Sequence, residues 1–251
     1  MEALNPRILA LPLVFAMCVF ALLMPAPAAA LTIEVTRFGT CITPPGCSVT
    51  ITDNGPGDLN PAPGVIDFSQ TVGILPDGVF MAAGRAIETV TRDTAGRVSS
   101  ILLTLTNAAV QGLAGGVGTP ALIAGEIGVL SNVPIVSLDG VSGFASLVGQ
   151  YQGVGFASVT LEARVDGGLL GRVVPPSSLS VTSFAGMDAR TFPFPVDNLL
   201  IGTLDFDVAP GAGFLLPTSG DAFAAVPETG TLLLVVSGAL GGVYYRLTRL
   251  A

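Results

Sequence analysis

Apolar and polar residues alternate with a period of two along much of the chain, which is the pattern of half-buried β-strands. The clearest stretch is 158–166, where Val159, Leu161, Ala163 and Val165 alternate with polar residues. Similar stretches predict strands at 32–37, 48–52, 87–92, 98–107, 122–130, 133–138, 144–148, 179–184 and 203–208. Turn sequences such as LPDG, DTAG and VDGG separate them. This pattern predicts an all-β fold, an antiparallel two-sheet β-sandwich that is jelly-roll-like.

The composition agrees with an all-β protein and limits the kinds of binding partner that can be expected. Only 11% of the residues are charged, and glycine is abundant at 32 residues. Valine, threonine and serine are frequent, which favours strands and turns. The net charge is −8 and the sequence has no clustered cations, so a nucleic-acid partner is not expected.

The N-terminal segment has the layout of a secretory signal peptide. Arg7 precedes an apolar run over 8–24, and the small residues Ala28 and Ala30 fit an A-x-A cleavage site. Residues 1–30 are therefore expected to form a signal helix that is removed before Leu31. The alternative is an uncleaved N-terminal anchor.

The C-terminal segment is predicted to form a transmembrane helix. The apolar run 232–245 is too short to span a bilayer by itself, but residues 226–250 together are long enough. Arg246 and Arg249 follow the run and would stay on the cytoplasmic side. The alternative is a helix that is buried in the protein core.

A short motif precedes this apolar run, and it carries a resemblance to a known family. The motif consists of Val226, Pro227, Glu228, Thr229 and Gly230. Followed by a glycine-rich apolar stretch and an arginine-containing tip, it resembles the PEP-CTERM sorting domain of Gram-negative exopolysaccharide producers. The departure is Thr229, where that family usually has a second proline. With threonine there, the motif also looks like the Leu-Pro-x-Thr-Gly motif of sortase substrates, so a sortase-type cell-wall-anchored protein is the alternative.

The PEP-CTERM resemblance implies an export route and a processing enzyme as a partner. It implies export, a transient inner-membrane intermediate, cleavage by an exosortase-like enzyme, and delivery to the cell surface or extracellular space. The predicted organisation is a signal peptide at 1–30, a β-sandwich at 31–208, a Gly/Pro/Ala-rich spacer at 209–225, and the sorting signal at 226–251. The predicted function is that of a non-enzymatic surface or matrix protein associated with exopolysaccharide or biofilm.

The residue types available exclude most catalytic arrangements. The chain has no histidine and no lysine, which excludes Ser-His-Asp and Cys-His sites, histidine-ligated metals and Schiff-base lysines. Acid and base catalysis would need paired carboxylates, for which Glu34, Glu88, Glu126 and Glu162 are the candidates. Solvated strand faces explain these glutamates more simply, so no enzyme activity is expected. A carboxylate-based hydrolase is a further alternative.

A loop with the sequence DNGPGDLN is the candidate calcium site. Asp53, Asn54, Asp58 and Asn60 supply the hard oxygen donors that calcium prefers. The alternative is a loop of Asx-turns, in which these side chains bind their own backbone. Asp205 and Asp207, on one face of a predicted strand, form a second and weaker candidate.

Calcium in the DNGPGDLN loop would suit a calcium-assisted carbohydrate-binding module, which is the main alternative function. Against it, sugar platforms usually need exposed aromatic rings, and the predicted domain has Tyr151 as its one tyrosine and no tryptophan. Apart from calcium, no cofactor is expected.

Two cysteines of the predicted domain are expected to form a disulfide. Cys41 and Cys47 lie in the sequence CITPPGC, and an exported chain meets an oxidising compartment. Pro44, Pro45 and Gly46 supply the turn between them. Metal binding by these two sulfurs, without histidine, is not expected.

Overall fold

The computed structural model describes residues 31–38, 47–73, 78–113 and 122–227, and within them it contains twelve β-strands and no helix. The strands are β1 (Thr32–Arg37), β2 (Ser48–Thr52), β3 (Val65–Gly73), β4 (Val79–Arg92), β5 (Val98–Gly112), β6 (Ile123–Ser137), β7 (Val141–Gly153), β8 (Ala157–Val165), β9 (Gly168–Val173), β10 (Ser183–Phe192), β11 (Val196–Val208) and β12 (Ala212–Ala225). The prediction of an all-β fold is confirmed.

The strands form two antiparallel sheets, as predicted, and each sheet has six strands. Sheet A has the order β2-β1-β6-β11-β8-β9, and sheet B has the order β10-β7-β12-β5-β4-β3. The alternation along 158–166 becomes β8, whose valine, leucine and alanine side chains are buried while the intervening polar residues are partly exposed. Each sheet therefore has one face toward a shared core and one face toward solvent.

Aromatic rings join the two sheets through the core. Phe206 of sheet A meets Phe80 of sheet B edge to face, with ring centroids 4.9 Å apart. It also meets Phe214 of sheet B at 5.8 Å. A glycine makes room for this cluster, since a Cβ on Gly125 would lie 2.6 Å from Phe206 Cζ and 2.9 Å from Phe80 Cε1.

The structure corrects the predicted spacer and the end of the β domain. Residues 209–225 were expected to form a flexible linker because they are rich in Gly, Pro and Ala. Most of this segment is β12, a central strand of sheet B that pairs with β5 and β7. Ala222 and Ala224 alternate with Asp221 and Phe223, and the alanines are small because they face the core between closely packed sheets. The β domain therefore runs to Ala225, not to residue 208.

Both predicted terminal helices lie outside the described residues. The signal peptide at 1–30 and the segment from Glu228 onward stay predictions. Where the structure does describe the chain, we find no helix with the length and apolar character that crossing a membrane requires.

Candidate functional site

The outer face of sheet A gathers most of the acidic residues that the sequence singles out. Glu34, Glu126, Glu162, Asp205 and Asp207 lie on the solvent side of β1, β6, β8 and β11, and we call this set the acidic face. Three of the four candidate glutamates are thus on one surface, which sequence separation alone could not show.

Two carboxylates of the acidic face lie directly opposite each other on neighbouring strands. Asp205 of β11 pairs with Glu126 of β6. On its other side Asp205 faces Thr160 of β8. Side chains that are opposite on one face of an antiparallel pair have Cβ atoms only about 4.5–5.5 Å apart. The two carboxylates therefore repel each other at short range.

Arginine side chains neutralise one end of the acidic face, and a hydroxyl group hydrogen-bonds the carboxylate at the other end. At one end, Glu162 Oε2 lies 2.7 Å from Arg164 Nη2, and Glu162 Oε1 lies 3.0 Å from Arg172 Nε. At the other end, the Ser48 hydroxyl donates to Glu34 Oε1 at 3.0 Å. The Glu126–Asp205 pair lies between these ends. Arg172 is a site residue that sequence reasoning missed, because its contact depends on the pairing of β8 with β9.

The environment of the central pair raises both carboxyl pKa values. Burial raises the pKa of Glu126, and the charges of Asp205 and Glu34 raise it further. Burial also raises the pKa of Asp205, to which the Glu162 charge contributes, while Arg172 and Arg164 act in the opposite direction. Ionisation of both carboxyl groups is therefore less favourable in the folded protein than in the unfolded chain.

We expect the Asp205→Asn variant to be more stable than the wild type at neutral pH. A carboxyl whose pKa is raised by folding favours the folded state only below its unfolded value of about 4, and this contribution is lost as the pH rises through the raised value. Removing the charge should raise the free energy of unfolding by about 0.2–1 kcal/mol at pH 7, the usual size of a cross-strand charge effect. The gain should disappear as the pH falls to about 4. Urea unfolding at several pH values measures both effects.

Asp207→Asn is the matched control for this prediction. Asp207 lies on the same face of the same strand, but its cross-strand neighbours are Ala124 and Ser158 rather than a carboxylate. The control removes the same formal charge without relieving a facing pair, and because the Asp207 charge also raises the pKa of Asp205, we expect a gain smaller than that of Asp205→Asn. An equal gain in the Asp207→Asn variant, or a gain from Asp205→Asn that persists at low pH, would contradict the assignment of the repulsion to Glu126 and Asp205.

The fourth candidate glutamate, Glu88, lies apart from the acidic face. Its side chain reaches from β4 of sheet B to sheet A, where Glu88 Oε1 accepts a hydrogen bond from the hydroxyl of Ser131. Its other oxygen, Oε2, is buried without a hydrogen-bond partner among the described residues. Burial raises the pKa of Glu88, and the charge of Asp53 adds to this. The half-buried side chain of Glu88 thus connects sheet B to sheet A.

The acidic face extends across four neighbouring strands of sheet A. None of its carboxylates lines the pocket that is found among the described residues. This pocket lies between the sheets and is lined by apolar side chains and glycines, including Leu103, Ile127, Leu161 and Gly202. This pocket is therefore a part of the hydrophobic core.

The four residues of the candidate calcium loop lie together, and their oxygens accept hydrogen bonds within the loop and its surroundings. Asp58 accepts from the backbone N–H groups of Asn54, Asn60 and Asp67 at 2.8–3.2 Å. Asp53 Oδ2 accepts from the backbone N–H of Gly64 at 2.8 Å. Asn54 adopts a left-handed φ of 56°, which Asn tolerates in turns.

The bond from the Asn60 N–H to Asp58 has the spacing of an Asx-turn, whereas the bonds from Gly64 and Asp67 join the loop to residues further along the chain. Within the described part of the chain, no group of three or more His, Cys, Asp or Glu residues has an arrangement that could hold a metal ion. Calcium binding by Asp53, Asn54, Asp58 and Asn60, or by Asp205 and Asp207, stays a prediction.

The side chain of Tyr151 makes its contacts with other residues of the β domain. Its ring packs against Phe184, with centroids 4.7 Å apart, and its hydroxyl donates to the Pro176 carbonyl at 2.8 Å. Burial raises the pKa of Tyr151 to about 12. The ring is therefore not available as a free stacking platform for a sugar.

The sorting motif begins where the described residues end. Val226 lies directly after β12, and its backbone N–H donates to the Ser99 carbonyl at 2.9 Å. Pro227 is the last described residue, whereas Glu228, Thr229, Gly230, Arg246 and Arg249 lie outside the described residues. Cys41 also lies outside them, so the Cys41–Cys47 disulfide stays a prediction.

Comparison of the chain with protein-family models finds none that matches, and comparison with curated proteins finds no significant match.

Proposed function

We propose that this chain is an exported, non-enzymatic protein of the cell surface or extracellular matrix, sorted through its C-terminal PEP-CTERM-like signal. It passes through an inner-membrane intermediate, is cut by an exosortase-like enzyme, and associates with exopolysaccharide or biofilm. The β domain, which we take to be jelly-roll-like, has a structural or adhesive role. In support of that topology, from β5 to β12 the chain changes sheet at every connection except the one between β8 and β9.

One observation carries the sorting part of the proposal. The last strand, β12, is central in sheet B and ends at Ala225, immediately before the motif 226–230. The backbone hydrogen bond from Val226 to Ser99 holds the first residue of the motif against sheet B, so the last described strand and the motif adjoin. A processing enzyme would need Glu228 and the residues after it to be accessible, and a motif that directly follows the last described strand is compatible with that need.

The position of cleavage tests the proposal directly. The full-length chain is expressed in a host with an exosortase and in the same host without it, and the recovered protein is analysed by intact mass spectrometry. We expect a new C-terminus near Pro227 or Glu228 only when the exosortase is present. Recovery of the chain with Ala251 intact in both hosts would refute the proposal.

The substitution Thr229→Pro separates the two sorting families. It completes the Val-Pro-Glu-Pro sequence and destroys the threonine-glycine pair that the sortase motif requires. Exosortase-type processing should be retained or increased in this variant, whereas sortase-type processing should be lost. Pro217→Ala, on an exposed proline within β12, is the control for the effect of changing a proline near the C-terminus.

A further inference from the structure

Glu88 occupies a position on the core side of its strand. Ala86, two residues earlier in β4, is fully buried, and the cross-strand partner of Glu88 on β5 is the core residue Leu103. Side chains that are directly opposite on an antiparallel pair share one face of the sheet. A carboxylate on this face loses hydration, so it needs hydrogen bonds or an opposite charge to remain ionised.

The hydrogen-bond partner of Glu88, Ser131, lies in an irregular part of β6. The register between β6 and β11 shifts between Leu199 and Ile201 of β11, and residues 131–133 of β6 lie at this shift. Ser131 is fully buried there. Its hydroxyl accepts a hydrogen bond from the Val133 backbone N–H at 3.0 Å and lies 3.1 Å from the Val133 carbonyl oxygen. The same hydroxyl therefore contacts Glu88 and the backbone of the irregular segment.

The number of protons available to these groups depends on the ionisation of Glu88. A serine hydroxyl has one proton to donate and two lone pairs that accept. Two acceptors, Glu88 Oε1 and the Val133 carbonyl oxygen, lie within hydrogen-bond distance of Ser131 Oγ. With ionised Glu88 the single hydroxyl proton serves only one of them at a time. With neutral Glu88 the carboxyl donates to Ser131 Oγ and the hydroxyl donates to Val133, so every group has a partner.

The second carboxyl oxygen of Glu88 also favours the neutral form. Glu88 Oε2 is buried and has no hydrogen-bond partner among the described residues. In a carboxylate this oxygen carries part of the negative charge, and leaving it without a donor is costly. In a neutral acid with the proton on Oε1, it is an uncharged carbonyl oxygen.

The charged groups on the elements around Glu88 do not supply an opposite charge. Asp53, in the connection between β2 and β3, adds a negative charge, and β5 contains no charged residue. The glutamate of β6, Glu126, lies on the outer face of sheet A, and Asp67 of β3 pairs with Arg85 of β4 at 2.6 Å. The ion pairs found among the described residues do not include Glu88.

We propose that Glu88 is a neutral acid in the folded chain and forms a proton-dependent contact between the two sheets, in which its carboxyl donates to Ser131. When the proton is lost to water, the Glu88 carboxylate separates from Ser131, and the contact between β4 and β6 opens to solvent. Burial raises the pKa of Glu88, so this contact is complete below the unfolded value of about 4.3 and is lost as the pH rises through the raised value. This inference goes beyond the proposed function and does not depend on processing at the C-terminus.

NMR of the full-length chain in a non-ionic detergent, with isotope-labelled glutamate side chains, tests the proposal. The carboxyl signal of Glu88, assigned by through-bond correlation to its own backbone, should titrate at a higher pH than it does in the urea-unfolded chain. Over the same pH range the hydrogen-exchange protection of the Val133 amide, relative to the intrinsic rate at each pH, should fall. Its total loss should be about tenfold for each pH unit that separates the folded and unfolded midpoints. In Glu88→Gln, which cannot ionise, this protection should not depend on pH.

Glu126→Gln is the matched control, because burial also raises the pKa of Glu126, but its side chain lies on the outer face of the same strand as Ser131. This variant should keep the pH dependence of Val133 protection. A Glu88 signal that titrates at the same pH in the folded and unfolded chains would overturn the proposal. This titration is measured in the wild type, so it decides the question whether or not Glu88→Gln folds. An equal pH-dependent loss of Val133 protection in Glu88→Gln would also overturn it, because another group would then cause the opening.

Discussion

A fragment that ends at Val208 is expected to stay unfolded, whereas a fragment of residues 31–227 is expected to fold cooperatively. The shorter fragment lacks β12, which pairs with β5 on one side and β7 on the other in the middle of sheet B. Its loss would leave two new sheet edges inside the domain and would remove the buried side chains of Phe214 and Leu216. Each of these side chains contributes about 1.5–3 kcal/mol on burial, and the whole domain has a stability of only about 5–15 kcal/mol.

Circular dichroism and urea unfolding of the two fragments measure this effect. The longer fragment should show a β-sheet spectrum and a single unfolding transition, and the shorter one should show neither. Cooperative unfolding of the fragment 31–208 would mean that residues 209–225 act as the spacer that their composition first indicates, and that β12 is dispensable.

The strands that the sequence predicts best are those with one fully polar face. In β8 each buried valine, leucine or alanine is followed by a polar residue, so its pattern identifies both the strand and its buried side. In the second half of β12, over 220–224, the same period of two is present, but glycine and alanine form the buried side. The composition of Gly220 and Ala222 is typical of a linker, although the sheets approach closely there: a Cβ on Gly202 of sheet A would lie 2.9 Å from the Ala222 Cβ.

The candidate site was predictable in its residues but not in its geometry. Glu34, Glu126 and Glu162 were identified from residue type alone. That they share a surface, and that Asp205 faces Glu126, follows from the strand order β1-β6-β11-β8, which joins strands far apart in sequence. The separation of Glu88 from the others has the same origin, because β4 belongs to the other sheet.

The connection between β9 and β10 shows a different limit of sequence reasoning. Segment 179–184 was predicted as a strand, but in the structure Leu179 lies in an exposed connection and β10 begins only at Ser183. An exposed apolar side chain has the same sequence signal as a buried one. Only the fold distinguishes an apolar residue available for a partner from one that belongs to the core.

The Phe206→Ala substitution should be the most destabilising single truncation of an aromatic side chain in the core. Phe206 is buried and contacts both Phe80 and Phe214 of the opposite sheet, so its removal opens a cavity between the sheets. Such substitutions cost about 3–5 kcal/mol, which for a domain of this size lowers Tm by roughly 6–20 °C. Phe223→Ala is the matched control, because Phe223 stacks on Phe144 on the outer face of sheet B and opens no cavity between the sheets, so its loss should cost clearly less than that of Phe206.

A second substitution shows whether the cost at Phe206 comes from the packing between sheets. In the wild type, Gly125→Ala would place a Cβ 2.6 Å from Phe206 Cζ, and such overpacking costs about 1–3 kcal/mol. In the Phe206→Ala background the added methyl group enters space that the ring has left, so its cost should shrink. The two effects are then non-additive, as expected for residues in direct contact. Additive effects, or equal losses from Phe206→Ala and Phe223→Ala, would show that the ring cluster does not hold the two sheets together.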